Sequence, residues 1–186
     1  LVVDGVMFIT EAPSNVVAVD AATGRQYWRY NHELPDDLRI CCGRNNRGVA
    51  ILGETLYMST LDARLVAIDA RTGNLVWNTE VADYRSGYSK TAAPLIVKDK
   101  VVTGIAGGDY GIRGFIDAYD AETGREVLDV EVFRVDETAS PNPKNSLASP
   151  TPVVDADRDR VYVHFGADGT AALTTDGDIV WTTRFP

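Results

Sequence analysis

Apolar and polar residues alternate with a period of two over most of the chain, in short runs broken by Gly, Asp, Asn and Pro. No stretch sustains the spacing of an amphipathic helix, so the pattern predicts short, half-buried β-strands joined by turns. The pattern also repeats. VVAVDAATGRQYW (16–28), LVAIDARTGNLVW (65–77) and IDAYDAETGREVL (116–128) share a D-A-x-T-G turn between two strand-like runs, and AALTTDGDIVW (171–181) is a degenerate fourth copy. Their turn glycines, Gly24, Gly73, Gly124 and Gly177, recur at intervals of 49, 51 and 53 residues. In such a turn the Asp side chain bonds its own backbone, and Gly accepts positive φ without a Cβ clash.

Two further strand-like runs precede each hairpin: 48–54 and 55–60, 93–99 and 100–106, 150–157 and 160–166. Four strands per unit is the signature of a β-propeller blade, whereas a two-layer sandwich does not repeat one turn motif in register. The expected fold is all-β, a partial β-propeller of about four four-stranded blades. It forms a single domain over 1–186, with repeats at approximately 1–30, 47–80, 92–133 and 148–186. Three complete units and a fourth ending just after Trp181 read as part of a ring. Its unclosed edges are expected to support oligomerisation. Each hairpin is followed by Trp28, Trp77 or Trp181, with Leu128 in that place once. An indole there is expected to pack between neighbouring blades and to donate its N–H to a backbone carbonyl.

Strand alternation sorts the connections. The D-A-x-T-G turns and the Gly5, Glu54 and Asp99 corners fall on one face. The long connections 31–46, 82–91, 106–114 and 134–146 fall on the other, where elaborated loops usually carry function. Composition narrows the partners. Charged residues make up 24% and the formal net charge is −9, with no Lys/Arg cluster, which argues against a nucleic-acid footprint. No apolar run is long enough for a membrane-spanning helix, and the opening residues show no targeting signal.

Within the long connections, Cys41 and Cys42 are the chain's two cysteines and are adjacent, flanked by Arg39, Arg44 and Arg47. Two readings stand open: a pair of reduced thiols packed as small hydrophobes, or a strained vicinal disulfide. Zinc binding lacks the ligand spacing. GIAGGDYGIRG (104–114) is either a plain glycine-rich loop or a nest of backbone N–H groups facing an anion, with Asp109 presented to a cation. It is not a dinucleotide fingerprint. His32 and His164 read as surface or packing residues, 155–160 as a solvated corner, and no Ser/His/Asp constellation or G-x-S-x-G elbow is present.

In order along residues 1 to about 130, LVVDGVMFIT, VVAVDAATGRQYWRY, CCGRNNRGVA, LDARLVAIDARTGNLVW and GIAGGDYGIRGFIDAYDAETG resemble the pyrroloquinoline-quinone (PQQ) dependent methanol and ethanol dehydrogenases. The Cys-Cys pair closely followed by Asn-Arg-Gly is the most specific element. Residues 145–173 resemble PQQ-like repeat propellers of a non-catalytic or uncharacterised type, as in a hybrid or fragmentary product. The resemblance implies an eight-bladed propeller with PQQ at the mouth of its channel, beside calcium or a lanthanide ion. Cys41 and Cys42 would form a disulfide stacked on the quinone, and Arg47 would contact the quinone oxygens. Thr91 would bond a PQQ carboxylate, the amides of Gly107 and Gly108 would face the cofactor, and Asp109 would be the metal ligand. Asp109 is one methylene shorter than the family's glutamate, and Ala106 stands where a serine is usual.

The implied activity is oxidation of primary alcohols to aldehydes by a periplasmic enzyme that passes electrons to a cytochrome c. No catalytic residue is assigned, because the family's base and second stacking wall have no counterpart in the chain. The isolated chain is therefore expected to be inactive. The alternative is a PQQ-like repeat propeller acting as a cofactor-free binding or assembly scaffold.

Overall fold

The computed structural model describes residues 1–40, 43–134 and 152–184. Cys41, Cys42 and the connection 135–151 lie outside the described residues. The strands form four separate antiparallel sheets, each a four-stranded meander. The first holds β1 (Val2–Val3), β2 (Val6–Glu11), β3 (Asn15–Asp20) and β4 (Gln26–Asn31). The second holds β5 (Ala50–Leu52), β6 (Thr55–Ser59), β7 (Arg64–Asp69) and β8 (Leu75–Glu80). The third holds β9 (Leu95–Val97), β10 (Lys100–Gly104), β11 (Ile116–Asp120) and β12 (Glu126–Asp129). The fourth holds β13 (Val153–Asp155), β14 (Arg160–His164), β15 (Thr170–Leu173) and β16 (Ile179–Thr183). This is the partial propeller that the repeats predict. The helical pieces among the described residues are three short 3₁₀ turns, Tyr84–Ser86, Gly108–Tyr110 and Gly166–Asp168. No helix is long and apolar enough to cross a membrane.

Each D-A-x-T-G turn closes as its chemistry dictates. Asp20 Oδ1 accepts from the N–H groups of Ala22 (3.0 Å) and Thr23 (2.8 Å), and Asp69 Oδ1 from Arg71 (2.9 Å) and Thr72 (2.8 Å). Asp120 repeats the bond to Thr123 at 2.8 Å. Gly24, Gly73 and Gly124 sit at φ +74°, +77° and +70°, where an L side chain would be strained. A second bond ties each turn to the corner of its own first two strands. Ala21 donates to Gly5 O (2.8 Å), Ala70 to Glu54 O (2.8 Å) and Ala121 to Asp99 O (2.9 Å). Tight turns and corners therefore share one face, as strand alternation requires.

The blades stack through alternating strand faces. Phe8, Val16, Ala18 and Trp28 of the first blade bury against Leu56, Met58, Val66 and Ile68 of the second. The opposite face of the second, with Tyr57, Leu65 and Ala67, buries against Val101, Tyr119 and Ala121 of the third. The third meets Val161, Val163, Ala171 and Leu173 of the fourth.

The tryptophans make these junctions. Trp28 Nε1 donates to Ala70 O and Trp77 Nε1 to Ala121 O, both at 3.1 Å. Each indole lies flat on the next blade's turn glycine: a Cβ on Gly73 or Gly124 would stand 2.7 Å from the ring atoms of Trp28 or Trp77. Gly is thus required twice over, by φ and by the ring on top of it. Leu128 takes the indole's place over Gly177, and a cavity of about 50 Å³ remains there, lined by Val97, Leu128, Val130, Val161 and Gly177 among others.

Candidate functional site

The described parts of the connections 31–46, 82–91 and 106–114 meet on the face opposite the turns. Arg47 and Thr91, 44 residues apart, are brought together. Arg47 N donates to Thr91 O at 3.0 Å, and Arg47 Nη1 donates to Thr91 Oγ1 at 2.8 Å. Because Thr91 Oγ1 accepts from the guanidinium, its own O–H is left to donate elsewhere. Both side chains reach solvent, Arg47 more than Thr91. The result is a guanidinium and a hydroxyl side by side at the surface of the loop face.

The residues leading into this corner are pinned from below. Asn46 Nδ2 donates to Ser59 O at 2.6 Å, while its Oδ1 accepts from Gly48 N at 2.9 Å. The other end of the same connection is held by His32. Its Nε2 lies 3.0 and 3.1 Å from the two carboxylate oxygens of Asp62, and its Nδ1 lies 3.3 Å from Tyr30 Oη. Both side chains are buried. Thr60 Oγ1 adds a 2.6 Å bond to Asp62. Burial pushes the Asp62 carboxyl up, but hydrogen bonds from His32 and Thr60 outweigh it and hold the group below the usual carboxylate range. Both ends of the 32–46 connection are thus fastened to one short stretch, 59–62.

The glycine-rich loop is zipped to the Thr91 segment. Ser89 N donates to Ala106 O (2.9 Å) and Ala106 N to Ser89 O (2.8 Å). Gly107, at φ +125°, packs so close to Gly87 that a Cβ would collide with the Gly87 carbonyl. Gly108 opens the 3₁₀ turn Gly108–Tyr110, which also carries Asp109. Two hollows are lined by these connections. One of about 450 Å³ runs from Gly108 past Arg113 and Phe115 to Phe133 and Asp168. The other, of about 380 Å³, is lined by Asp37, Arg39, Tyr84, Arg85 and Tyr110. In the second, Asp37 accepts from Tyr84 Oη at 2.8 Å and from Arg85 Nε at 3.3 Å. Among the described residues no group of three or more His, Cys, Asp or Glu is placed to hold a metal ion.

Sequence reasoning passed over Lys90. It is almost fully buried (1% exposed) and its Nζ donates to Gly104 O at 2.7 Å, directly behind Thr91. Burial pulls its ammonium down from the ordinary lysine range, opposed by the charge of Asp117, whose own carboxyl is pushed up by burial. His32 is a packing residue, as expected, though one with a buried carboxylate partner. His164 bonds Thr170 Oγ1 at 2.9 Å within the fourth blade. The 155–160 run is the β13–β14 corner, with Arg158 paired to Asp155 at 2.6 Å. The side chains of Cys41, Cys42 and Asp109 lie outside what is described.

Comparison with known proteins agrees with this architecture. The family described as PQQ glucose/ethanol/alcohol dehydrogenase, β-propeller domain, matches residues 1–176. That match continues past residue 130, where the motif-by-motif resemblance stops. The quinoprotein alcohol dehydrogenase PedH of Pseudomonas putida is 52% identical over 124 residues, covering 67% of this chain and 21% of that protein. The quinohemoprotein alcohol dehydrogenase ADH-IIG of Pseudomonas putida is 41% identical over 175 residues, covering 92% of this chain and 24% of that protein. A solved europium-containing methanol dehydrogenase superposes with TM-score 0.83 at 26% identity, over 99% of this chain and 40% of its own. The chain thus spans about a fifth of the length of the curated relatives it matches. With four propeller sheets and a family match over nearly all of its residues, the chain belongs to the PQQ-dependent alcohol dehydrogenase β-propeller family.

Proposed function

We propose that the loop face carries part of a PQQ site in an enzyme oxidising primary alcohols to aldehydes. The observation that carries this reading is the Arg47–Thr91 pair. Its donor set fits the cofactor: a planar guanidinium of fixed charge suits quinone oxygens, and the outward O–H of Thr91 suits a carboxylate. The Gly107 and Gly108 amides would face the same ligand, and Cys41 and Cys42, as a vicinal disulfide, would stack on its plane. Bound PQQ supplies the two-electron acceptor for hydride from the alcohol. The chain's residues hold and orient it: Arg47 fixes the quinone edge, and the Ser89–Ala106 bridge fixes the distance between the Thr91 segment and the glycine-rich loop. Asp109 is the proposed ligand for calcium or a lanthanide, and no step is assigned to that ion. We assign binding to these residues and no catalytic base among them, so the isolated chain would bind without turnover. By family resemblance we place the reaction in the periplasm, with a cytochrome c as acceptor.

Titrating PQQ into the protein with calcium, followed by the cofactor's absorbance, tests the reading. Saturable binding is expected, weakened at least about tenfold by Thr91→Val, the loss of about one good hydrogen bond. A flat titration would overturn it in favour of a cofactor-free scaffold. The observation on that side is Ala106, which offers no hydroxyl and whose N–H and C=O are both taken by Ser89.

A further inference from the structure

Ser89, Lys90 and Thr91 run past the base of the glycine-rich loop. Thr91 reaches the surface, where Arg47 Nη1 donates to its hydroxyl at 2.8 Å, while Lys90 turns inward and is 1% exposed. Three bonds hold this segment to the loop: the Ser89–Ala106 pair of 2.9 and 2.8 Å, and Lys90 Nζ to Gly104 O at 2.7 Å. Gly104 ends β10 and opens the loop, and in the antiparallel register of the Ser89–Ala106 bridge it falls opposite Thr91. Of the three bonds, only the one from Lys90 carries a charge.

A buried ammonium is costly unless it is paired, and here the counter-charge is weak. The charge acting on Lys90 is that of Asp117 on β11, and burial pushes that carboxyl up. Tyr119 Oη donates to Asp117 Oδ2 at 3.3 Å, and Glu126 and Asp129 on β12 act on the same carboxyl. From the second blade the junction receives a neutral partner, Ser59 Oγ, 3.2 Å from Thr103 Oγ1. Tyr88, next in the chain, turns to Phe115 instead. Burial accordingly holds the Lys90 ammonium below the ordinary lysine range.

We propose that Lys90 is a positioning residue of the loop-face site: its ammonium, bound to Gly104 O, sets Thr91 against the glycine-rich loop and draws an anionic ligand to the Thr91 hydroxyl. The ligand class is a polycarboxylate, as PQQ is, and the inference rests on the cofactor reading of this face. Two cations, one buried and one exposed, then flank Thr91. An anion there favours the ammonium, so by reciprocity binding takes up a proton wherever the free lysine has begun to lose one. Affinity is therefore greatest below the free lysine's lowered value, falls as pH rises through it, and levels off above the value of the bound form. A lysine at the ordinary value of about 10.4 would leave binding level between about pH 6 and 9.

PQQ titrated with calcium into this chain between about pH 6 and 9 tests the proposal, with proton uptake read from binding heats in two buffers of different ionisation enthalpy. Affinity is expected to fall at least about fivefold across that range, with protons taken up on binding. Asp117→Asn keeps the shape, removes the charge that favours the ammonium, and should move the fall to lower pH. Lys90→Met combined with Asp117→Asn removes both buried charges, leaves neither unpaired, and should bind with no fall while keeping the native circular dichroism. Should the double variant fail to fold, Asp117→Asn decides, and a fall left in place there overturns the proposal. Saturable binding that stays level with pH, or a fall of unchanged size in the double variant, overturns it and spares the cofactor reading. No saturable binding at any pH overturns both.

Discussion

The two faces of the blade stack are built by different rules. On the turn face the same bonds occur three times: Asp to its own turn, the alanine N–H to the neighbouring corner, and glycine at positive φ. On the loop face recurrence is confined to the strand ends, as in the Thr60 N bond to Arg64 O and the Phe165 N bond to Gly169 O. Asn46 and Lys90 bond the carbonyls of Ser59 and Gly104, which end equivalent strands, whereas the Arg47–Thr91 and His32–Asp62 bonds each join two particular connections. What every blade needs in order to stack is repeated on the turn face, whereas the Arg47–Thr91 bond belongs to one junction of the loop face. Substitutions on the two faces should therefore differ in kind. Turn-face changes should alter stability alone, and loop-face changes should separate folding from binding.

The largest effect is expected where the repeat is tightest. Trp77→Ala removes an indole packed on Gly124 and its bond to Ala121, and should cost about 3–5 kcal/mol in urea denaturation. A loss below about 1 kcal/mol would mean that the blades stack without their indoles.

On the loop face, Asp62→Asn leaves shape intact but breaks a buried pair with His32, and should cost about 1–3 kcal/mol. The pH dependence separates charge from shape. The Asp62 carboxyl is held low in the folded state, so its stabilisation is present above the ordinary carboxylate range and is lost as pH falls through the lowered value. The native protein should therefore show an acid limb of stability below about pH 4 that Asp62→Asn diminishes. A limb of unchanged depth in the variant would assign it to the exposed turn aspartates instead.

How much of this was legible in the sequence follows from how each contact is encoded. Blade number, turn geometry and the indole N–H bond were readable because they are local and repeated, and the two-faced arrangement followed from strand alternation. Arg47 and Thr91 were each matched to a cofactor contact by resemblance, but that the two bond each other was not readable, since 44 residues separate them. The His32–Asp62 pair was not readable, since 30 residues separate a loop His from a hairpin Asp and neither carries a motif. Lys90 was equally silent: Ser-Lys-Thr in a polar loop looks solvated, and its burial and its bond to Gly104 O emerge only in the fold. The Leu128 exception was visible in the alignment of repeats, but the void it leaves was not.

That void makes a smaller and opposite prediction. Leu128→Trp would restore the indole between the third and fourth blades and fill the roughly 50 Å³ beside Gly177. It should stabilise by about 0.5–2 kcal/mol, the usual gain of a filled cavity. A loss in denaturation midpoint would show that the fourth blade has adjusted its spacing to leucine and that its junction is no longer interchangeable with the others.

The smallest effect on folding is expected at Arg47, and there the comparison between faces is sharpest. The side chain is exposed and its partner Thr91 is held independently by the Ser89–Ala106 bridge. Arg47→Ala should move stability by no more than about 0.5 kcal/mol. If the loop face is a PQQ site, the same substitution should weaken cofactor binding at least about tenfold, because a guanidinium fork is lost. Arg47→Lys should recover only part of that affinity, since it keeps the charge and loses the planar donors. Equal binding by all three forms, measured by the absorbance titration, would remove Arg47 from the site while leaving the fold intact. A pairing that costs nothing to break in the free protein and much in the bound one is what distinguishes a ligand contact from a strut.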